Sequence, residues 1–305
     1  YGDEVATNIK EVGVALEGLG LLPAGANALL PDVNVSRTGY NERHLTNYNA
    51  ESIKADWGLY YRPFENDFEI SYVGKVGTGN TIYQGTNRYN IKNFFQQQHK
   101  LEVRNDNFFA RGYVVADSAG DSYDMVFTAI NINRTWKDDN TWFGEYAGTY
   151  VLETLAGATN DQAHATARAV ADTGMYMPGT TEFDTAYNSI INDPELEVDE
   201  NGVGGSKFQD ASKYYHGDFN YNFSHLIDFA EIQIGGSARQ YSLNSQGTIY
   251  TDPKGDGTID YSEFGVYTQV QKELDLSSST ELKLTGSIRY DKSEFFDGFF
   301  SPRLS

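Results

Sequence analysis

The chain has 305 residues, 39% of them hydrophobic, and a mean hydropathy of -0.52. It contains no cysteine, which excludes a disulfide framework, a thiolate metal site and a Cys nucleophile. A formal net charge of -20 argues against a nucleic-acid partner, because nucleic acid calls for a basic face. No apolar run is long enough to be a membrane-spanning helix, yet a barrel strand shows lipid only at every second residue, so a membrane β-barrel stays open. The 22 Tyr and 18 Phe suit aromatic girdles at membrane interfaces, and equally a Tyr-rich soluble β-protein. The sequence opens at Tyr1 with no signal peptide, so a preceding segment is expected to have been removed or to lie outside it.

Residues 1–45 are expected to form an extracellular loop with one short helix. Val5, Ile9, Val12, Leu16 and Leu19 fall at helical spacing, and Pro23 and Pro31 end the pattern. Residues 46–117 read as strands. The first covers about Ala50–Arg62, with Ile53, Ala55, Trp57, Leu59 and Tyr61 on one parity. Pro63–Asp67 reads as a turn, Phe68, Ile70 and Tyr72 open the second strand, and Gly74–Tyr89 reads as a Gly/Thr/Asn-rich loop. Phe95–Arg104 and Phe108–Asp117 follow as strands around a turn at Asn105–Asn107.

Residues 118–213 form a connection too long to lack structure of its own. Met125, Ala129, Ile132 and Trp136 predict one helix, Ala-rich Gln162–Asp172 a second, and Glu182–Ile191 a third. Acidic, Gly-rich Glu195–Gly205 reads as a flexible tip. Trp136, Trp142, Phe143 and Tyr146 are expected to be the small core of this segment rather than a ligand-stacking site.

Residues 214–305 return to strands of strict alternation. Tyr215, Gly217, Phe219 and Tyr221 oppose His216, Asp218, Asn220 and Asn222. Ile232, Ile234, Gly236 and Ala238 make the next apolar row, then Phe264, Val266 and Val270, then Leu282, Leu284, Ile288 and Tyr290. Each run approaches the 9–11 residues of a tilted membrane-crossing strand. The connections alternate short (63–67, 105–107, 226–230, 275–280) with long (74–92, 118–213, 244–260), as outer-membrane barrels join strands by short periplasmic turns and long extracellular loops. The fold expected is an antiparallel outer-membrane β-barrel segment of about eight strands. Trp57 and Phe219 would face lipid, Asp56 and Asn220 the lumen, and 118–213 would be a partly helical extracellular lid or docking surface.

Few motifs carry chemistry. Asp252–Glu263 matches much of a calcium EF-hand loop, with Asp252, Asp256, Asp260 and Glu263 at ligand positions and Gly257 at the turn. Lys254 at a ligand position and flanking strands oppose that match, and an acidic hairpin loop explains the same residues. His44, His99, His164, His216 and His225 show no metal spacing, and His216 with Asp218 reads as lumen polarity before a dyad. Gly74–Gly79 resembles a phosphate loop but lacks a following helix. No catalytic, metal or cofactor residues are expected, and the substrate-binding residues are not legible.

Ser36-Arg-Thr-Gly-Tyr-Asn-Glu42, Asn80-Thr-Ile-Tyr-Gln-Gly-Thr-Asn-Arg-Tyr89 and Gly120-Asp-Ser-Tyr-Asp124 resemble TonB-dependent outer-membrane receptors of the Bacteroidota type. So do Glu263-Phe-Gly-Val-Tyr-Thr-Gln269, Gly286-Ser-Ile-Arg-Tyr-Asp291 and Phe300-Ser-Pro-Arg303. The resemblance implies a 22-stranded barrel closed by an N-terminal plug, of which this chain would be an internal part without plug, coupling box or closing strand. It implies nutrient uptake driven by the TonB system through that plug, with outer-membrane lipid as surroundings and the nutrient unnamed. The alternative is a binding or scaffold barrel in an outer-membrane assembly, secretion or adhesion complex, meeting a surface lipoprotein or other outer-membrane proteins. A surface hydrolase is disfavoured for want of a nucleophile with a placed base.

Overall fold

The structure, a computed structural model, describes residues 1–194, 198–251, 257–277 and 279–305. In chain order the elements are β1 (Ala6–Asn8), α1 (Ile9–Gly18), a 3₁₀ turn (Ala26–Leu29), β2 (Asn34–Ser36), a second 3₁₀ turn (Glu42–His44), β3 (Glu51–Tyr61), β4 (Glu69–Gln84), β5 (Arg88–Arg104), β6 (Phe108–Ser118) and β7 (Tyr123–Asp124). The helices α2 (Met125–Trp136), α3 (Asp139–Leu155), α4 (Asn160–Ala171) and α5 (Thr181–Ile190) come next. Then come β8 (Lys213–Asn222), β9 (Glu231–Leu243), β10 (Ile259–Ser277), β11 (Thr280–Ser293) and β12 (Phe296–Leu304). The chain divides into two units: 1–51 with 80–93 and 121–208, and 52–79 with 94–120 and 209–305.

The first unit is helical and builds its core in the ordinary way. Each helix starts on a side chain that satisfies otherwise orphaned backbone N–H groups. Asn8 caps α1, Asp124 caps α2, Asp138 caps α3, and Thr159 with Gln162 closes a capping box on α4. In α4, Ala163, Ala167 and Ala171 are fully buried, so the helix lies close against Trp142, Phe143 and Tyr146 of α3. Trp142 stacks on Tyr146 with centroids 5.4 Å apart, and Trp136 packs at the edge of this cluster. The aromatic residues at 136–146 are thus packing residues, as expected. The N-terminal residues are part of the same core: Ile9, Leu30 and Val35 join the α3–α4 cluster, and Tyr40 and Leu45 join Met125, Ile132 and Phe183.

The second unit is a sheet without a core of that kind. The antiparallel order is β12-β11-β10-β9-β8-β6-β5-β4-β3, and β7 pairs separately with Tyr89 and Asn90 of β5. Among the described residues β3 and β12 end the order and do not pair with each other. One register row runs Ala110, Phe219, Gly236, Val266, Tyr290, Phe300; the neighbouring residues make the row Arg111, Asp218, Ser237, Gly265, Asp291, Phe299. Directly paired residues share a face, so the alternation read from the sequence becomes one apolar and one polar surface. Trp57 and Phe219 lie on the apolar surface, and Asn220 on the polar one.

Several expectations need correction. Residues 74–92 are not a long loop: β4 and β5 continue as strands to a turn at 85–87, so the alternation of connection lengths fails at this point. Gly74 sits inside β4 because the Trp57 ring occupies the space of a Cβ, 2.3 Å from where one would stand. Close packing, not turn chemistry, explains that glycine. The sheet has nine strands in its main order instead of about eight, since Phe296–Leu304 also pairs. Residues 139–155, unassigned from sequence, form the longest helix among the described residues. The predicted helices at 125–136, 162–172 and 182–191 are present within a residue or two. Of the tip, Glu195–Glu197 lie outside the described residues, while Asp199 accepts backbone hydrogen bonds from Asn201 and Val203 in a defined turn.

Candidate functional site

The polar surface of the second unit carries the densest arrangement of charge. Lys100 donates to Glu102 at 3.3 Å, and Glu102 lies 3.7 Å from Arg111. Arg111 reaches Asp218 at 2.8 Å, and Asp218 lies 3.3 Å from His216. Arg239 Nε donates to His216 Nδ1 at 3.0 Å, and Arg239 Nη1 donates to Glu263 at 3.1 Å. The result is one continuous polar chain across β5, β6, β8, β9 and β10, in which the His216 imidazole links the Lys100–Glu102–Arg111–Asp218 run to the Arg239–Glu263 pair. Cross-strand pairing places these residues opposite one another, because Tyr113, His216, Arg239 and Glu263 stand in a single register row.

This chain lies between two further rows. On one side Tyr214 stacks on Tyr241 (5.4 Å) and Tyr241 on Tyr261 (4.4 Å), while the Tyr113 and Tyr214 hydroxyls meet at 2.5 Å. On the other side are amides: Asn220 donates to the Tyr267 hydroxyl at 2.7 Å, and Gln271 donates to Glu231 at 3.2 Å. Phenol, ion-pair and amide rows in sequence offer a solute hydrogen-bond donors and acceptors with almost no net charge.

The opposite surface is apolar and exposed. Leu101, Phe219, Ile234, Val266, Leu284 and Ile288 are each exposed at 43–56%. At one end of this surface Phe64, Phe68, Phe108, Tyr221 and Phe223 run as a chain of ring contacts between 4.7 and 6.4 Å. Nearer the other end Trp57 and Tyr72 gather on His99, and the Tyr72 hydroxyl meets His99 Nδ1 at 2.7 Å. Along β8, Tyr215 and Tyr221 mark the two ends of the apolar row, ~20 Å apart at about 3.4 Å per residue.

The helical unit has a polar seam of its own. Arg37 is fully buried, and its Nη1 donates to Lys137 O at 2.8 Å and to Asp139 at 2.6 Å. Its guanidinium lies 5.1 Å from the Trp136 ring, and burial lowers its pKa from the ordinary value. Asp172 accepts from Trp142 Nε1 and from Thr38 Oγ1, while Arg168 donates to Ser36 O and Thr38 Oγ1. The motif Ser36–Glu42 is thus the strap that ties the N-terminal residues to α2, α3 and α4. Burial raises the pKa of Asp124 and lowers that of His164, which bonds the Tyr146 hydroxyl at 2.7 Å.

His216 and Asp218 share the polar surface, 3.3 Å apart, inside the ion-pair chain. Gly74–Gly79 is strand, not a phosphate loop. Asp252–Asp256 of the calcium-like loop lie outside the described residues, and Glu263 is paired with Arg239. Among the described residues no group of three His, Asp or Glu is placed to hold a metal ion, and no helix is long and apolar enough to cross a membrane. The tyrosine row and the continuity of the charge chain were missed. Their signal was present, since Tyr214, Tyr241 and Tyr261 fall on polar-parity positions, but only the register reveals that they stack.

No family model matches the chain. No curated protein matches it either. Among solved structures it is similar to Pseudomonas aeruginosa OccK5 (OpdH), with 9% identity, 82% of this chain and 56% of that one covered, and a TM-score of 0.27. The chain therefore spans little more than half the length of that structure.

Proposed function

We propose that the second unit is wall from an outer-membrane β-barrel, apolar surface to lipid and polar surface to a water-filled lumen, and that the chain serves solute uptake across that membrane. One observation carries the reading. Among the described residues the only buried hydrophobic residues of this unit are Ala119 and Ala230, whereas Leu101, Phe219, Ile234, Val266, Leu284 and Ile288 are exposed together on one face. A sheet in water does not leave so many large apolar groups on a continuous surface. A bilayer favours that arrangement, and the aromatic residues near both ends of the apolar rows suit its interfaces, flanking a band that in such barrels is ~25 Å tall.

The finer reading is a receptor whose uptake is energised by the TonB system through a plug, with the helical unit exposed on the cell surface to capture solute. The resemblance of the Ser36–Glu42 and Gly120–Asp124 motifs supports it. A docking role for the helical unit draws support from Leu19, Leu21, Leu152 and Leu155, each 68–73% exposed.

The chain's lack of cysteine makes single-cysteine labelling a direct test. Cysteine at Phe219, Val266 or Ile288 is expected to escape a water-soluble maleimide and to be quenched by spin-labelled lipid. Cysteine at Asn220, Tyr267 or Gln269 is expected to show the reverse. Equal aqueous labelling of both sets would refute the membrane reading. An epitope at Glu200–Asn201 is expected to be reached on intact cells. Uptake that survives collapse of the proton gradient would remove energy coupling and leave a passive channel.

A further inference from the structure

A hollow of about 290 Å³ opens on the polar surface between β9 and β12, and its lining breaks the rule that this surface is polar. Phe296 and Phe299, 71% and 56% exposed, stand there beside two guanidiniums and two carboxylates; Lys292 also lines the hollow, but its register opposite Phe264 assigns it to the other surface. The cause is a register irregularity. Asp291 pairs with Phe299, but Ser293 pairs with Phe296, so β12 places one more residue in the interval than β11 does. Such a bulge turns a side chain to the face that simple alternation would deny it, and here it brings Phe296 to the charged side, where Phe299 already stands opposite Asp291.

The charges are set in the same way. Arg289 pairs with Asp291 at 2.7 Å, and Arg239 with Glu263 at 3.1 Å. Gly265 forms the floor between them: a Cβ there would stand 2.2 Å from the Asp291 carboxylate and 2.3 Å from Arg289 Nη2. Only glycine lets the pair lie flat on the strand. Both pairs are substantially exposed, and exposed ion pairs are individually weak, so a ligand bearing both signs can exchange partners with them at little cost.

Resting on the lumen reading above, we propose that this hollow binds a zwitterion carrying an apolar side chain, the chemistry shared by short apolar peptides and apolar amino acids. Its carboxylate is held by Arg239 and Arg289, its ammonium by Glu263 and Asp291, and its side chain lies on Phe296 and Phe299. A dianion or a dication meets two like charges here, and a neutral sugar leaves the ion pairs unused and meets two rings it has no need of.

The test is calorimetric titration of the protein, extracted from membranes in detergent, with leucyl-leucine. Saturable binding is expected. Acetyl-leucyl-leucine amide, which has the same side chains and no charges, is expected to bind ~10–100-fold more weakly, since each terminus loses a charge-assisted hydrogen bond. Arg289→Gln is expected to weaken leucyl-leucine about tenfold, on the same grounds. Phe299→Ser is expected to weaken leucyl-leucine but not diglycine. Equal affinity for the capped and free dipeptides overturns the proposal, as does tighter binding of maltose. The capped ligand requires no change to the protein, so misfolding cannot explain the outcome. If cysteine labelling supports the two-faced wall while the free dipeptide shows no preference, this proposal fails alone. If labelling fails, the lumen reading fails with it.

Discussion

The helical unit and the sheet spend similar apolar content in opposite ways. In the first, Trp142, Tyr146, Ile9 and Ile132 are almost wholly removed from solvent. In the second, Phe219, Val266 and Leu284 are nearly half exposed along strands that are fully hydrogen-bonded to their neighbours. Hydrophobic burial within the chain therefore accounts for the first unit, while the second requires its apolar surface to be covered by something else. The lesson is that exposure of a large residue has no meaning until its neighbours are known. Val266 gains its meaning from the continuous face to which it belongs.

The comparison can be broken most forcefully at Trp142. Trp142→Ala empties the centre of the α3–α4 cluster and is expected to cost ~3–5 kcal/mol in the helical unit. Differential scanning calorimetry should then show one lowered transition and one unchanged. Loss of both would mean that the units fold as one. On the sheet, Trp57→Arg is expected to cost about 2–4 kcal/mol if the residue meets lipid, and Asp56→Arg far less. Urea-dependent folding into lipid vesicles measures both, and equal costs would contradict the two-faced assignment.

Smaller effects sharpen the account of the helical unit. Asp138 accepts from Thr141 N and Thr141 Oγ1, so Asp138→Ala is expected to lower stability by ~1 kcal/mol, read as a shift in thermal midpoint. Thr159→Ala, which opens the α4 capping box, should act in the same range. The smallest effect concerns acid. Burial lowers the folded pKa of His164, so the neutral ring is favoured in the native state. Its contribution is complete above the unfolded value of about 6.5 and is lost as pH falls through the lower folded value. His164→Gln should flatten that part of the stability profile; an unchanged slope would exclude His164 as its source.

Much of this was legible in the residues. Period-two alternation at 215–223 and 282–290 gave strand, face and register parity together, because burial on one side fixes all three. Helices α1 and α2 showed through their apolar spacing, and α4 through its alanines. Helix α3 did not, although Trp142, Phe143, Tyr146, Ala147, Tyr150 and Val151 are helically spaced, since Gly144 and Gly148 weaken its propensity and its core is aromatic. The strand 74–84 was hidden for the converse reason: its glycines look like turn residues until the Trp57 ring is found lying on one of them. The phenol and ion-pair rows were invisible because they depend on which residues pair across strands, and pairing is a long-range fact.

The charge pairs across β5 to β10 also mark a register that the two surfaces alone leave open. Apolar–polar alternation rejects any pairing displaced by one residue, since that would turn every side chain to the wrong surface. It is blind to a displacement by two, which preserves both surfaces. The charges are not blind to it. Moving β9 by two residues against β10 takes Arg239 away from Glu263 and sets it opposite Gly265 or Tyr261, and the same displacement of β8 against β6 separates Asp218 from Arg111. An odd displacement thus exchanges the two surfaces, and an even one keeps the surfaces and parts the charge pairs.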